Sequence, residues 1–206
     1  MTKNHMHVLF ILDKSGSMSS VRESTISGFN EYLKTLRNDR ETEYTLTVTL
    51  FDTMMERYVS SKPLESVEPL SEKTYCPGGN TALYDAACTT ILAHEEGKEK
   101  KLVVIITDGE ENASQKYTQD DFKRLVTRLT IDGWKFVYLG ANQDAWANAQ
   151  KYGFSAQSVA SFNSTVRGTQ NAFSNVAVNT VAYAASASTT ADFFSEEDQA
   201  ELKNIK

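Results

Sequence analysis

Three short stretches of the sequence carry oxygen-bearing side chains of the kind that hold hard cations. Asp13-Lys14-Ser15-Gly16-Ser17-Met18 closes an apolar run, Gly78-Gly79-Asn80-Thr81 ends a long loop, and Thr107-Asp108-Gly109-Glu110 follows a second apolar run. Spacing of i, i+2 and i+4 in an extended turn lets Asp13, Ser15 and Ser17 point the same way. With Thr81 and Asp108 they make a set of hard oxygen donors in which only Asp13 and Asp108 are carboxylates, a set suited to Mg2+ or to another hard divalent ion such as Mn2+ or Ca2+. The hydroxyls are neutral, so if the two carboxylates act mainly through water the charge of such an ion is under-compensated, and a carboxylate from outside is then the expected further ligand. That is binding chemistry and breaks no bond. The competing reading is purely structural: Ser15 and Ser17 cap the first helix and Asp13 is a turn residue.

For these segments to meet, the elements around them must deliver their loops to one place. Residues 7–13 read as a buried strand of a parallel sheet, 102–107 and 134–139 read as further apolar strands, and 44–51 reads as a strand from its β-branched and aromatic content. Residues 56–60 are a further strand, joined to 44–51 as a hairpin. Val21, Thr25, Phe29, Tyr32 and Leu36 recur at helical spacing, with Arg22, Glu23, Glu31 and Lys34 on the other face. Residues 63–80 contain all the prolines and form a long loop. It feeds a helix with Leu83, Ala87, Ile91 and His94 on one face, ending near Gly97. Thr118 and Asp121 form a capping box before a helix with Phe122, Leu125, Val126 and Leu129 inward. Residues 144–152 read as a helix, 158–162 as a short sixth strand, and Ser195 to Asp198 as the capped start of a terminal helix. Residues 165–188 are nearly free of charge; their β-branched content weakens a helix, yet Val166, Phe173, Ala177 and Ala184 fit one. Alternating strands and helices predict right-handed crossovers and a mainly parallel sheet covered on both faces. Ligands of such folds sit outside the carboxyl ends of the strands, where strand order reverses.

The same three segments resemble the von Willebrand factor A (vWA) domain family. Its metal-ion-dependent adhesion site has Asp-x-Ser-x-Ser, then a distant Thr, then a distant Asp, which here fall on Asp13, Ser15 and Ser17, then Thr81, then Asp108. Residues 13–18, 78–85 and 107–110 match the local forms of that site, and the resemblance is good over 7–165 and looser beyond. The stretch FVYLGANQDA at 136–145 is similar to short stand-alone members from bacteria and their phages. The resemblance implies an α/β, Rossmann-like domain over 1–206, with a core at about 7–190 and a tail or short helix at 191–206. It implies a mainly parallel sheet with one antiparallel edge strand and helices on both faces. It further implies Mg2+ held by Asp13, Ser15, Ser17, Thr81 and Asp108, with Lys14, Met18, Gly79, Asn80 and Glu110 as the partner-binding rim. The implied role is a metal-dependent adaptor that captures an acidic side chain of another protein, in some members within multiprotein assemblies that have separate ATPase subunits.

Other features narrow the classes. The chain has 206 residues, with 21 Lys and Arg against 27 Asp and Glu, a net charge of −6. Without a basic stripe this is a poor nucleic-acid binder. Cys76 and Cys88 form neither a disulfide framework nor zinc-site spacing, which fits a reducing compartment. The N-terminal apolar run at 8–12 is too short for a signal segment or a membrane span, so a cytoplasmic protein with no membrane partner is expected. His5 and His7 read as surface or edge histidines, His94 as a packed histidine at the core edge, and Asp85 as a structural residue bonding the metal loop or capping its helix. Glu110 and Glu111 read either as groups tuning the rim or as a solvated turn. Lys14 is expected to point outward, and 155–190 to be a packed helix and strand, with an apolar docking face as the alternative. A phosphohydrolase is the rival enzyme reading, but Ser15 stands where a second Asp would act as acid, and no nucleophile elbow or Walker fingerprint occurs. A metal-free structural or oligomerisation module is the other rival.

Overall fold

A computed structural model describes residues 3–141 and 145–204, except for the side chain of Trp146. The strands are β1 (Asn4–Asp13), β2 (Thr42–Phe51), β3 (Met55–Pro63), β4 (Lys100–Thr107), β5 (Lys135–Ala141) and β6 (Val159–Phe162). They form one sheet in the order β3-β2-β1-β4-β5-β6. All neighbours are parallel except β2 and β3, so β3 is an antiparallel edge strand. The helices are α1 (Arg22–Asn38), α2 (Leu83–Leu92), α3 (Gln119–Ile131), α4 (Ala145–Lys151), α5 (Val166–Ala185) and α6 (Glu196–Asn204), and a 3-10 turn at Gly16–Val21 leads into α1. The helix start expected at Asp144 lies outside the described residues.

The near-continuous apolar runs are explained by burial on both faces. Alternate residues of β1 divide between two cores: Met6, Val8, Phe10 and Leu12 pack with residues of α1, α5 and α6, whereas Leu9 and Ile11 pack with α2, α3 and α4. The first core centres on Phe10, whose ring meets Phe29 edge-on at 5.3 Å and stacks on Phe173 at 6.0 Å. In the second, Phe122, Tyr152 and Phe154 form an aromatic group beside Tyr138 and Phe136. Each such aromatic contributes about 1.5–3 kcal/mol by leaving water.

Residues 165–188 resolve in favour of helix. Thr165 caps α5 by accepting from the Gly168 N–H at 3.1 Å. Phe173, Ala177 and Ala184 are buried, but Val166 is 60 % exposed and is not on the inner face as its spacing predicted. The inner face of α5 lies on α1 and the sheet, so this stretch is the packed helix rather than a free apolar surface. The Thr118–Asp121 capping box forms as expected, and Ser195 and Asp198 make the same reciprocal pair at the start of α6. Phe193, Phe194 and Leu202 are buried in the first core. Among the described residues no helix is long and apolar enough to cross a membrane.

Candidate metal centre

β1 and β4 are adjacent, and the chain leaves them towards opposite sides of the sheet, to β2 and to β5. This is the point of strand-order reversal, and Asp13 ends β1 there while Thr107 ends β4. The third segment is tied on by backbone bonds: the Gly16 N–H donates to the Gly79 carbonyl at 3.0 Å and the Gly78 N–H to the Lys14 carbonyl at 2.8 Å. Gly79 has φ +69, a conformation that favours glycine, and its missing side chain leaves room for Thr53 on the β2–β3 turn.

The five candidate donors come together. The Ser15 and Ser17 hydroxyls are 3.1 Å apart, and Ser17 donates to Asp108 Oδ1 at 2.5 Å. The space in front of Gly109 locates the rest. A Cβ on Gly109 would stand 2.8 Å from Thr81 Oγ1, 3.7 Å from Ser17 Oγ and 3.8 Å from Asp13 Oδ2, so oxygens from separate segments face the space that a side chain at Gly109 would enter. Ser15 stands at the N-cap of the 3-10 turn without its side chain capping it, against the structural reading of that serine. Asp13, Ser15 and Thr81 are buried, whereas Ser17 is exposed and Asp108 half-buried, so this space is reached from the Ser17 and Asp108 side.

The electrostatics ask for a cation. Burial pushes the Asp13 carboxyl up to about 6; the Asp108 charge adds to this, and hydrogen bonds from Thr107 and Ser15 oppose it. Burial also raises Asp108, against the bond from Ser17. Two carboxylates that resist ionisation together are relieved by a divalent ion between them. Only two of the donors are charged, and among the described residues no group of three or more His, Cys, Asp or Glu side chains is placed to hold a metal. The set therefore fits a hard ion bound through hydroxyls, carboxylates and water, not a thiolate or imidazole site.

Residues without any motif hold the donors in place. Thr107 donates to Asp13 Oδ2 at 2.5 Å, and Tyr75 donates its buried hydroxyl to the Asp13 carbonyl at 2.6 Å. Asn112 Oδ1 accepts from the Thr81 N–H at 2.9 Å, while the Asn112 and Ala113 N–H groups donate to the Thr81 carbonyl. Glu111 accepts from the Tyr84 N–H at the start of α2 and from Ala113 and Ser114 in its own loop. Asp85 accepts from the N–H groups of Gln115, Lys116 and Tyr117, so its role is structural as expected, but on the loop that precedes α3 rather than on the metal loop or as a cap of its own helix. Sequence reading missed Thr107, Tyr75 and Asn112; a hydroxyl ending a buried apolar strand is the one signal that pointed to Thr107.

The expected rim is partly corrected. Met18 is 1 % exposed, because the 3-10 turn rotates it into the core with Val21. Lys14 does not project outward: its ammonium lies 3.4 Å from Asp52 Oδ2 and 3.3 Å from Glu56 Oε2, along the β2–β3 hairpin. Gly79, Asn80 and Glu110 are exposed beside the site. His7 is not a surface histidine either; it is 5 % exposed and bonds Thr47 at 2.9 Å.

No family model and no curated protein matches the chain. Solved structures do. A proximal thread matrix protein from the mussel byssus, with a zinc-occupied MIDAS motif, superposes with a TM-score of 0.64 at 16 % identity, covering 87 % of this chain and 46 % of that one. The vWF domain of a type V pilus tip protein from Porphyromonas gingivalis gives 0.64 at 9 % identity over 87 % of this chain and 96 % of its own. A von Willebrand factor type A protein from Catenulispora acidiphila gives 0.60 at 14 % identity, covering 87 % and 43 %. The chain thus spans less than half the length of the byssus protein. Its fold is that of vWA domains.

Proposed function

We propose that the chain is a divalent-cation-dependent protein-binding adaptor, and that Asp13, Ser15, Ser17, Thr81 and Asp108 hold its ion. The observation that carries this reading is the set of donor oxygens from three segments in front of Gly109. Mg2+ is the ion we favour, with Mn2+ and Ca2+ as alternatives, because the protein supplies few charged donors and leaves room for water. When bound, the ion would supply an exposed positive charge for an Asp or Glu of a partner protein to complete. Ser15 and Ser17 orient their hydroxyls through each other and Asp108, Thr107 fixes the Asp13 carboxylate, and Asn112 fixes Thr81. Gly79, Asn80 and Glu110 are the rim groups that would meet the partner.

The chemistry of the surroundings supports binding over catalysis. No second carboxylate stands at position 15, and the three histidines lie at the other end of the molecule: His5 and His7 in the first half of β1, and His94 just beyond α2. A general acid or base is therefore missing from the set. Net charge −6 disfavours nucleic acid, and the free Cys76 and Cys88 favour a reducing, cytoplasmic setting. The likeness of 136–145 to short members from bacteria and their phages is the support for that type, and a place within a larger assembly is carried over from the family resemblance.

Capture of partners from native lysate, with Mg2+ and with EDTA, tests the role. A partner retained in Mg2+ and released by EDTA is expected, and Thr81→Ala should lose it, since this removes one hydroxyl and leaves both carboxylates. Equal retention in EDTA would assign the contact elsewhere and leave a metal-free structural module. Turnover of a phosphate ester in Mg2+ would favour the hydrolase.

A further inference from the structure

The edge of the sheet opposite the metal centre carries a second cleft, of about 310 Å3. It opens where β5 begins, between the end of α3, the connection that follows Gly153, and the loop around Thr189 and Thr190. Three consecutive features of this edge are lysines, and their surroundings differ. Lys100 donates to the carbonyls of Tyr183 and Ser186, at 2.5 and 2.8 Å, and lies over the Tyr183 ring. Lys101 donates to the His94 and Glu96 carbonyls. Lys135, the first residue of β5, is only 7 % exposed; its ammonium lies 6.0 Å from the centre of the Tyr183 ring, and among the described residues no hydrogen bond or ion pair ties it. Its side chain lines the cleft, and no ammonium is among the sealed polar atoms that lack a partner, so the Lys135 charge is open to the cleft.

An ammonium on a largely buried stem, bonded to no protein acceptor, is free to take an anion as its acceptor from the cleft. Burial lowers the Lys135 pKa, and the Asp192 charge opposes it. The rest of the lining defines the complement. Phe136 and Phe154, edge to face at 6.1 Å, give an apolar wall, while Ser155, Thr189 and Thr190 bring hydroxyls. We propose that this cleft binds a small organic anion, a carboxylate on an aromatic or apolar body, with Lys135 as its counter-charge. The volume is at the low end for small-ligand pockets and suits one ring with a short acid arm. The Lys135 charge, with that of Lys100 near it, disfavours a cation in the cleft. The same chemistry is offered by a free aryl carboxylate and by the terminal carboxylate of a peptide ending in an aromatic residue.

NMR titration with phenylacetate and with the tripeptide Gly-Gly-Phe, each against its amide, tests this and separates the two sources. At least one acid should bind, with amide shifts at Lys135, Phe154 and Thr189, and the matching amide should bind at least about tenfold more weakly, as expected for loss of a charge-assisted bond. The tighter acid names the source. Lys135→Met, which keeps the stem and removes the charge, should weaken the acid by a similar factor. Should that variant not fold, the acid–amide comparison on the wild type decides alone. Binding should be indifferent to EDTA, which separates this site from the metal centre. No binding of either acid at about 10 mM, the weak limit of specific recognition, or equal binding of acid and amide, would overturn the proposal.

Discussion

At the scale of single residues, the metal centre depends on what is absent as much as on what is present. Gly109 keeps its place open, so Gly109→Ala should abolish it without removing a donor: the new methyl would stand 2.8 Å from Thr81 Oγ1. Thr107→Val should leave the strand packed but free the Asp13 carboxylate from its 2.5 Å bond. Calorimetric titration with Mg2+ should show at least about tenfold weaker affinity in each variant, the range found when groups that orient a metal ligand are lost. Unchanged affinity in both would remove the ion from this place. The candidate donors were legible because few side chains offer hard oxygens, and Asp, Ser, Ser, Thr and Asp stood in order after apolar runs. Their supports were not. Thr107 reaches Asp13 across 94 positions and Asn112 reaches Thr81 across 31, and such pairings leave no local pattern. Met18 was misplaced on the rim because adjacency in sequence says nothing of how a 3-10 turn rotates a side chain inward.

At the scale of elements, the sheet was readable because burial on both faces makes parallel strands continuously apolar, and the antiparallel edge was readable from the short turn before β3. The helices α1 and α3 announced themselves by period, and α3 also by its cap. α5 was ambiguous for a physical reason: its alanines, serines and threonines give little contrast between faces, and its 20 residues are held by packing on α1 more than by propensity. α1 and α5 come close at Gly28, where a Cβ would meet the Phe173 ring at 2.6–2.8 Å. Gly28→Ala gains helix propensity, about 1 kcal/mol, but overpacks a filled core, which costs about 1–3 kcal/mol. Net destabilisation in urea titration is therefore expected, with metal affinity intact; a more stable variant would show that α5 moves aside freely.

At the scale of the whole molecule, the two sheet edges do different things. The carboxyl edge gathers the oxygen donors, and the other gathers buried basic groups, His7 among them. His7 is held down to about 4, first by burial and then by the His94 charge, with Glu99 opposing and Lys101 adding. The folded pKa is below the ordinary 6.5, so the unfolded chain binds the proton more readily. Stability from this group is complete above 6.5 and is lost as pH falls towards 4, by at most about 1.4 kcal/mol per unit. The unfolding free energy of His7→Asn, set against wild type from pH 7 to 4, should show the flatter dependence. Parallel curves would mean that His7 titrates alike in both states. At the carboxyl edge, a crystal grown in millimolar Mn2+ and examined for anomalous scattering tests most directly whether the gathered oxygens hold an ion. One peak should lie among the oxygens of Asp13, Ser15, Ser17, Thr81 and Asp108, at about 2.0–2.6 Å directly or one water further. No peak there in Mn2+-saturated crystals, or a peak bounded by other residues, would contradict an ion site at these oxygens.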